Sequence, residues 1–155
     1  MRKPLTLLGI SLTCLLLDQV TKYLFWNLLR EPLHLLPFLD FAKAFNKGFV
    51  FGLFQHSEGL LKTLSYYGVP LLIVALLLWG IFRVRDTLVG LGLALILGGG
   101  LGNLLDRLLL GGVRDFIDFH IGDWHYPTFN VADICVSLGI LLLLAGYLKG
   151  ETKRV

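Results

Sequence analysis

Gly98-Gly99-Gly100-Leu101-Gly102-Asn103-Leu104-Leu105-Asp106-Arg107 sits inside an apolar run that begins at Leu88 and ends at Leu110. A hydrocarbon core of ~30 Å needs ~20 helical residues, so the run is long enough to cross a bilayer. The glycines let a neighbouring helix approach closely, and Gly98 with Gly102 forms a small-xxx-small pair. Asn103, Asp106 and Arg107 follow at i, i+3 and i+4 and share one face. Ionisable groups beside such a run are costly and are rarely kept without a task.

Working outward, three more stretches are long and apolar enough to span: about Pro4–Trp26, Tyr66–Phe82 and Asp133–Leu148. The last is short unless it extends at both ends. The 155 residues are 55% hydrophobic and only 16% charged, with a mean hydropathy of +0.74. Such a composition belongs to a polytopic membrane protein and excludes a soluble globular domain. One domain over residues 1–155 is expected. The net charge of +3 reflects topology and does not argue for nucleic acid. Cys14 and Cys135 lack metal-ligand spacing and read as small buried apolar residues. Met1-Arg2-Lys3 before an apolar run mimics a secretory signal, but no small-x-small cleavage site follows, so an uncleaved first span is expected.

The segments assigned to the inner side carry seven Lys/Arg (Arg2, Lys3, Arg83, Arg85, Lys149, Lys153, Arg154) and two acids, Asp86 and Glu151. The other half carries seven Lys/Arg but nine acids over longer loops. This bias places both termini in the cytoplasm. Two loops then lie outside. Asn27–Ser65 is too long for a plain connector and is expected to have structure. Gly111–Asn130 contains Ile121-Gly122-Asp123-Trp124, a two-residue hairpin signal. Continuing that hairpin pairs His120 with His125 and Asp115 with Asn130, while Pro127 weakens the second strand.

The helical rise puts Asp18 ~21 Å outward from Pro4, and Asn103 and Asp106 ~23 and ~27 Å outward from Leu88. Asp133 opens the fourth span at the same boundary. One outer layer therefore collects Asp18, Asn103, Asp106, Arg107, Asp115, Asn130 and Asp133. Each residue also has a plainer reading. Asp18 and Lys22 are i, i+4 and pair to neutralise each other, with a supporting role for the outer loops left open. Asp106 and Arg107 are helix-end or interface residues, or act directly. Asn103, deeper and beside the glycines, reads as a hydrogen-bonding site residue. Asn130 with Asp133 three residues on is a capping-box-like helix start. That last reading weakens because the hairpin folds Asp115 against the same helix end. Two carboxylates in a low-dielectric place share a proton, the requirement of an aspartic protease. His120 and His125 face each other on the side opposite Asp115, as does Asp118, which pairs with Pro127; they read as surface histidines without a third metal ligand.

These stretches carry a resemblance. Leu17-Asp18-Gln19-Val20-Thr21-Lys22, Phe45-Asn46-Lys47-Gly48-Phe49-Val50-Phe51-Gly52, Gly98 to Arg107, Val113-Arg114-Asp115-Phe116-Ile117-Asp118-Phe119 and Phe129-Asn130-Val131-Ala132-Asp133 follow the order and spacing of the bacterial lipoprotein signal peptidase (type II signal peptidase) family. The resemblance covers essentially the whole chain. It implies an all-α membrane protein with four transmembrane helices, a small extracytoplasmic β cradle or hairpin, and an interfacial helix. It implies Asp115 and Asp133 as a catalytic dyad, with Asn46, Asn103, Arg107 and Asn130 lining the site. Asp18, Lys22 and Asp106 remain structural or supporting. The implied substrate is a lipid-modified prolipoprotein, cut before its diacylglyceryl cysteine at the outer face of the bacterial cytoplasmic (inner) membrane. The enzyme is expected to be a monomer among membrane lipids, without nucleic acid, metal or organic cofactor. Two departures stand out. Phe49-Val50 replaces smaller residues, and Arg114 stands where many members are apolar; Arg114 is expected to point away from Asp115 without loss of activity. The main rival is an ion-coupled transporter, which places acids near the bilayer midplane and breaks a helix. A non-enzymatic assembly factor is a further alternative, one that tolerates conservative change at Asp115 and Asp133. Here the acids crowd one boundary.

Overall fold

The computed structural model describes residues 3–47 and 59–152. The Gly48–Gly52 part of the second motif, with the Phe49-Val50 departure, lies outside the described residues. So does part of the loop expected to hold an interfacial helix.

Four helices are long and apolar enough to cross a membrane: Pro4–Leu28, Leu64–Arg83, Thr87–Leu110 and Val131–Gly150. Each is one to four residues longer than the apolar run that announced it, and the fourth does extend at both ends. The chain begins with α1 (Lys3–Leu28), β1 (Leu33–Leu36) and β2 (Leu39–Asn46). α2 (Gly59–Thr63) then leads through a π-helical turn, Leu64–Gly68, into α3 (Val69–Arg83). α4 (Thr87–Leu110), β3 (Val113–Ile121), β4 (Trp124–His125) and α5 (Val131–Thr152) complete it.

Local chemistry sets the ends of α4. The Asp86 side chain accepts from the Val89 amide at 3.0 Å, a cap at the helix start. Gly111, with φ +73°, ends the helix in the left-handed conformation that favours glycine. Between these ends α4 is the central helix, packed on α1, α3 and α5. Its glycines permit this. A Cβ on Gly98 would lie 2.5 Å from the Ser11 carbonyl oxygen of α1, and one on Gly99 would run into the Ala132 carbonyl of α5. The expected close approach thus serves two neighbours at once. Leu7, Leu77, Ile81, Ala94 and Leu97 form the buried apolar cluster between α1, α3 and α4. Most other large apolar side chains of the spans, such as Leu16, Leu72, Leu141 and Leu144, are exposed outward, as lipid-facing residues must be. Cys14 and Cys135 are free and buried.

The outer loops join in one antiparallel sheet of order β1-β2-β3-β4. Near the turn, the hairpin register is the expected one: His120 opposite His125 and Ile121 opposite Trp124, with Gly122 at φ +58°. Farther along it slips. Ile117 bridges Phe129, so Asp115 does not face Asn130 in a continuous ladder. Pro127 has no amide to donate, and the pairing resumes one residue out of step beyond it. β2 pairs β3 with Ala44 opposite Asp115, a union of the two loops that local pattern did not announce. The sheet sits on the bundle through aromatic contacts: Phe25 of α1 stacks on Phe116 at 4.4 Å and lies 4.6 Å from Phe41.

Candidate active site

α5 starts with a reciprocal cap. The Asn130 amide donates to Asp133 Oδ2 at 3.1 Å, and the Asp133 amide donates to Asn130 Oδ1 at 3.1 Å. The capping box read from the sequence is therefore present. It leaves the Asn130 side-chain amide free to donate elsewhere. Nδ2 reaches Asp115 Oδ1 at 2.6 Å and Asn103 Oδ1 at 3.1 Å. Cap and site are one structure.

Three amides hold the two carboxylates. Asn103 Nδ2 donates to Asp133 Oδ1 at 2.8 Å, Asn130 joins Asp115 to Asp133, and Asn46 Nδ2 donates to Asp115 Oδ2 at 3.1 Å. The β2–β3 pairing delivers Asn46; α4 delivers Asn103. Asp115 and Asn130 are buried. Burial drives the Asp115 carboxyl up from 3.8 to about 6, and the charge of Asp133 pushes the same way. The Asn46 and Asn130 hydrogen bonds and the Lys22 charge oppose the rise without cancelling it. Asp115 thus keeps its proton to a higher pH than an ordinary carboxyl does, with half of it lost only near pH 6.

Beneath them lies a buried polar layer. Lys22 Nζ pairs with Asp18 Oδ2 at 2.7 Å, as its i, i+4 spacing announced, and both side chains are fully buried. It also donates to Asn103 Oδ1 at 2.9 Å, and Asp106 Oδ2 lies 3.7 Å away. Asp18 Oδ1 accepts from the Ala132 amide at 2.9 Å, tying α1 to the first turn of α5. Asp106 accepts from Arg114 and from Gln19. Asp18, Lys22 and Asp106 thus form one bonded layer, and Lys22 connects to Asp133 through Asn103.

The expected single layer divides at α4. Asp106 and Arg107 are ~100° apart around a helix, so they flank Asn103 on opposite sides. Arg107 turns toward the second span, with its guanidinium 5.6 Å from the Tyr66 ring centre. Tyr66, in the π-helical turn, donates its hydroxyl to the Gly111 carbonyl at 2.9 Å. Asp118 lies outside the site, on the face opposite Asp115 where the strand alternation put it. Its carboxylate lies 2.9 Å from His125 Nδ1, a diagonal neighbour across the hairpin on the face the two histidines share. His120 and His125 stack with centroids 5.0 Å apart. Among the described residues, no group of three or more His, Cys, Asp or Glu is arranged to hold a metal ion.

Two features escaped the sequence reading. Gln19 bridges Asp18, Asp106 and the Gly102 carbonyl, at 3.2, 3.1 and 3.1 Å. A glutamine within an apolar span was the available signal. The second is a groove of about 290 Å³ lined by Tyr126, Phe129, Asp133, Ile134, Ser137 and Leu138. It gives Asp133 an apolar approach along α5.

Known proteins are similar to this chain in sequence and fold. The family model described as Signal peptidase (SPase) II matches residues 10–149. A lipoprotein signal peptidase of Aquifex aeolicus (strain VF5) is 40% identical over 142 residues, covering 90% of this chain and 84% of that protein. One of Coxiella burnetii (strain RSA 331 / Henzerling II) is 40% identical over 151 residues, covering 95% and 92%. A solved bacterial membrane enzyme superposes with a TM-score of 0.82 at 26% identity, covering 97% of this chain and 92% of that one. The match spans all four membrane helices and every residue around the paired carboxylates, and the chain belongs to the signal peptidase II family.

Proposed function

We propose that Asp115 and Asp133 are the catalytic dyad of an aspartic endopeptidase that removes signal peptides from prolipoproteins. The observation that carries this reading is the single side chain of Asn130, which donates to one carboxylate and, by accepting from the Asp133 amide, caps the helix that presents the other. Family membership gives the reaction; the geometry supports the choice of dyad.

One carboxylate acts as general base on a water molecule. The other, protonated, donates a hydrogen bond to the scissile carbonyl, and the leaving amine takes a proton from the pair. The two titrate jointly, so the shared proton belongs to the pair. Asn103 and Asn46 hold the carboxylates against rotation, which keeps the attack geometry. Arg107, on Tyr66, lies at the edge of the site and holds a substrate carbonyl or steadies the outer loop. The substrate's apolar segment lies along the groove at Tyr126, Ile134 and Leu138, ending at Asp133. A diacylglyceryl group on the cysteine after the cut keeps the scissile bond at the membrane boundary, where all these groups sit.

The rest of the reading concerns setting. The chain is a multi-pass membrane protein. The Lys/Arg bias favours both termini in the cytoplasm, which puts the sheet and dyad on the outer face of the inner membrane. One domain acting as a monomer suffices, because α1, α4, α5 and both outer loops of one chain supply every group named. The test is cleavage of a purified diacylglyceryl-modified prolipoprotein in detergent by wild type, Asp115→Asn and Asp133→Asn. Two folded, inactive variants support the dyad. A folded variant that cuts at the wild-type rate removes its residue from the mechanism.

A further inference from the structure

Arg114 precedes Asp115 on β3 and turns the other way, into the bundle. Its backbone amide donates to Asp106 Oδ2 at 3.0 Å, Nε to the same oxygen at 3.1 Å, and Nη2 to Asp106 Oδ1 at 2.8 Å. Nη2 also donates to Gln19 Oε1 at 3.1 Å. The guanidinium is largely buried and Asp106 is 1% exposed. This two-pronged pairing is the geometry at which arginine is not replaceable by a simple cation.

The consequence falls on Lys22. Two buried carboxylates, Asp18 and Asp106, face two cations, Lys22 and Arg114. Because Arg114 occupies both oxygens of Asp106, Lys22 stays 3.7 Å from that acid and 2.9 Å from Asn103 Oδ1. The Asn103 amide, with Lys22 on its oxygen, donates to Asp133 at 2.8 Å.

We propose that Arg114 is a positioning residue: by neutralising Asp106 it leaves Lys22 committed to Asn103, and so sets the pH at which the paired carboxylates give up their shared proton. This rests on the reading of Asp115 and Asp133 as the dyad. The charges acting directly on Asp115 are those of Asp133 on α5 and Lys22 on α1; behind Lys22 lie Asp18, Asp106 and Arg114, and Arg107 of α4 stands at the edge of the site against Tyr66. From β2 the facing side chain is neutral Asn46. Without the guanidinium, Asp106 is uncompensated and draws Lys22 away from Asn103. The lost cation and the displaced one act in the same direction. Both disfavour the doubly ionised pair, so the proton is held to higher pH.

The experiment is the pH profile of kcat/KM on a diacylglyceryl-modified prolipoprotein, for purified full-length wild type, Arg114→Gln, Arg114→Lys, Asp106→Asn and the double variant Asp106→Asn/Arg114→Gln. Arg114→Gln should move the alkaline limb up by ~0.5 pH unit or more, and Asp106→Asn should move it down by a similar amount. Arg114→Lys should shift it less than Arg114→Gln does, and the double variant should restore the wild-type limb. A limb that stays at the wild-type position in whichever single neutral variant folds overturns the proposal. So does a uniform loss of rate at every pH, the mark of a merely structural residue. Asp115→Asn is run beside them. If it cuts normally, the dyad reading fails; if it is dead while the limbs coincide, only the role of Arg114 fails.

Discussion

Asn130 and Asp133 cap one helix end reciprocally, each backbone amide donating to the other's side chain at 3.1 Å, while Asn130 Nδ2 holds Asp115 at 2.6 Å. Fold and chemistry meet in one amide, and its two duties can be separated. Asn130→Asp keeps the oxygen that caps α5 but loses the donor to Asp115 and adds a like charge. Its thermal midpoint should fall more at pH 8 than at pH 5, as the two buried carboxyls ionise against each other, while kcat falls by ~10²-fold or more, the scale of losing a preorganised donor. Asn130→Ala should lose ~1 kcal/mol of stability as well. Unfolding in detergent and cleavage assays on the same preparations read both; an active Asn130→Asp contradicts the assignment.

The raised pKa of Asp115, about 6, predicts how the enzyme responds to pH. The folded state holds this proton more tightly than the unfolded chain does. Its contribution to stability is therefore best below the ordinary carboxylate range and is lost as pH rises through ~4 to ~6. With Asp115 and Asp133 as the proposed dyad, activity needs one proton on the pair. In the free enzyme, kcat/KM should begin to fall above about pH 6, approaching tenfold per pH unit. A profile flat to pH 8 would falsify the assignment of this proton to the catalytic pair.

Lys22 is fully buried between Asp18 and Asn103. Lys22→Met strands Asp18 without its cation and should cost about 3–5 kcal/mol. Replacing the pair together, Asp18→Asn with Lys22→Met, should recover part of that loss. Thermal unfolding of the three proteins decides it; a double variant no more stable than Lys22→Met shows that the ion pair is not what the lysine supplies.

Gly99 and Gly100 are adjacent but have different surroundings. A methyl at Gly99 meets the Ala132 carbonyl, one residue before Asp133, whereas nothing lies within 4 Å of one at Gly100. Gly99→Ala should displace the start of α5 and reduce kcat by ~10²-fold, because small misplacements of reacting groups are costly. Gly100→Ala should retain near-normal activity. Equal effects at the two positions would argue against a steric cause.

The sequence carried the spans, the outer polar layer, the Gly122-Asp123 turn and the Asn130 cap. Each depends on nearby residues: run length, rise per residue, a two-residue turn, an i, i+3 pair. The Asp18–Lys22 bond was legible for the same reason. Asn46 was marked only by resemblance, because nothing near it in the chain says that β2 will pair with β3. The register beyond Pro127 was misjudged by one residue, since a strand without a donor at that point admits either alignment. Arg107 was placed with Asn103 and Asp106 on one face, but in three dimensions that face is shared among different neighbours.

By itself, then, the sequence determined a four-span membrane protein with carboxylates at one boundary, because hydrophobic length and helical rise act locally and leave few alternatives. The tertiary structure decided which amide holds which carboxylate, that Arg114 takes Asp106, and that Lys22 is turned to Asn103. Those choices lie between groups of the same charge and similar reach, and only the packing of α1, α4, α5 and the sheet separates them by the ångström or so on which a buried hydrogen bond depends.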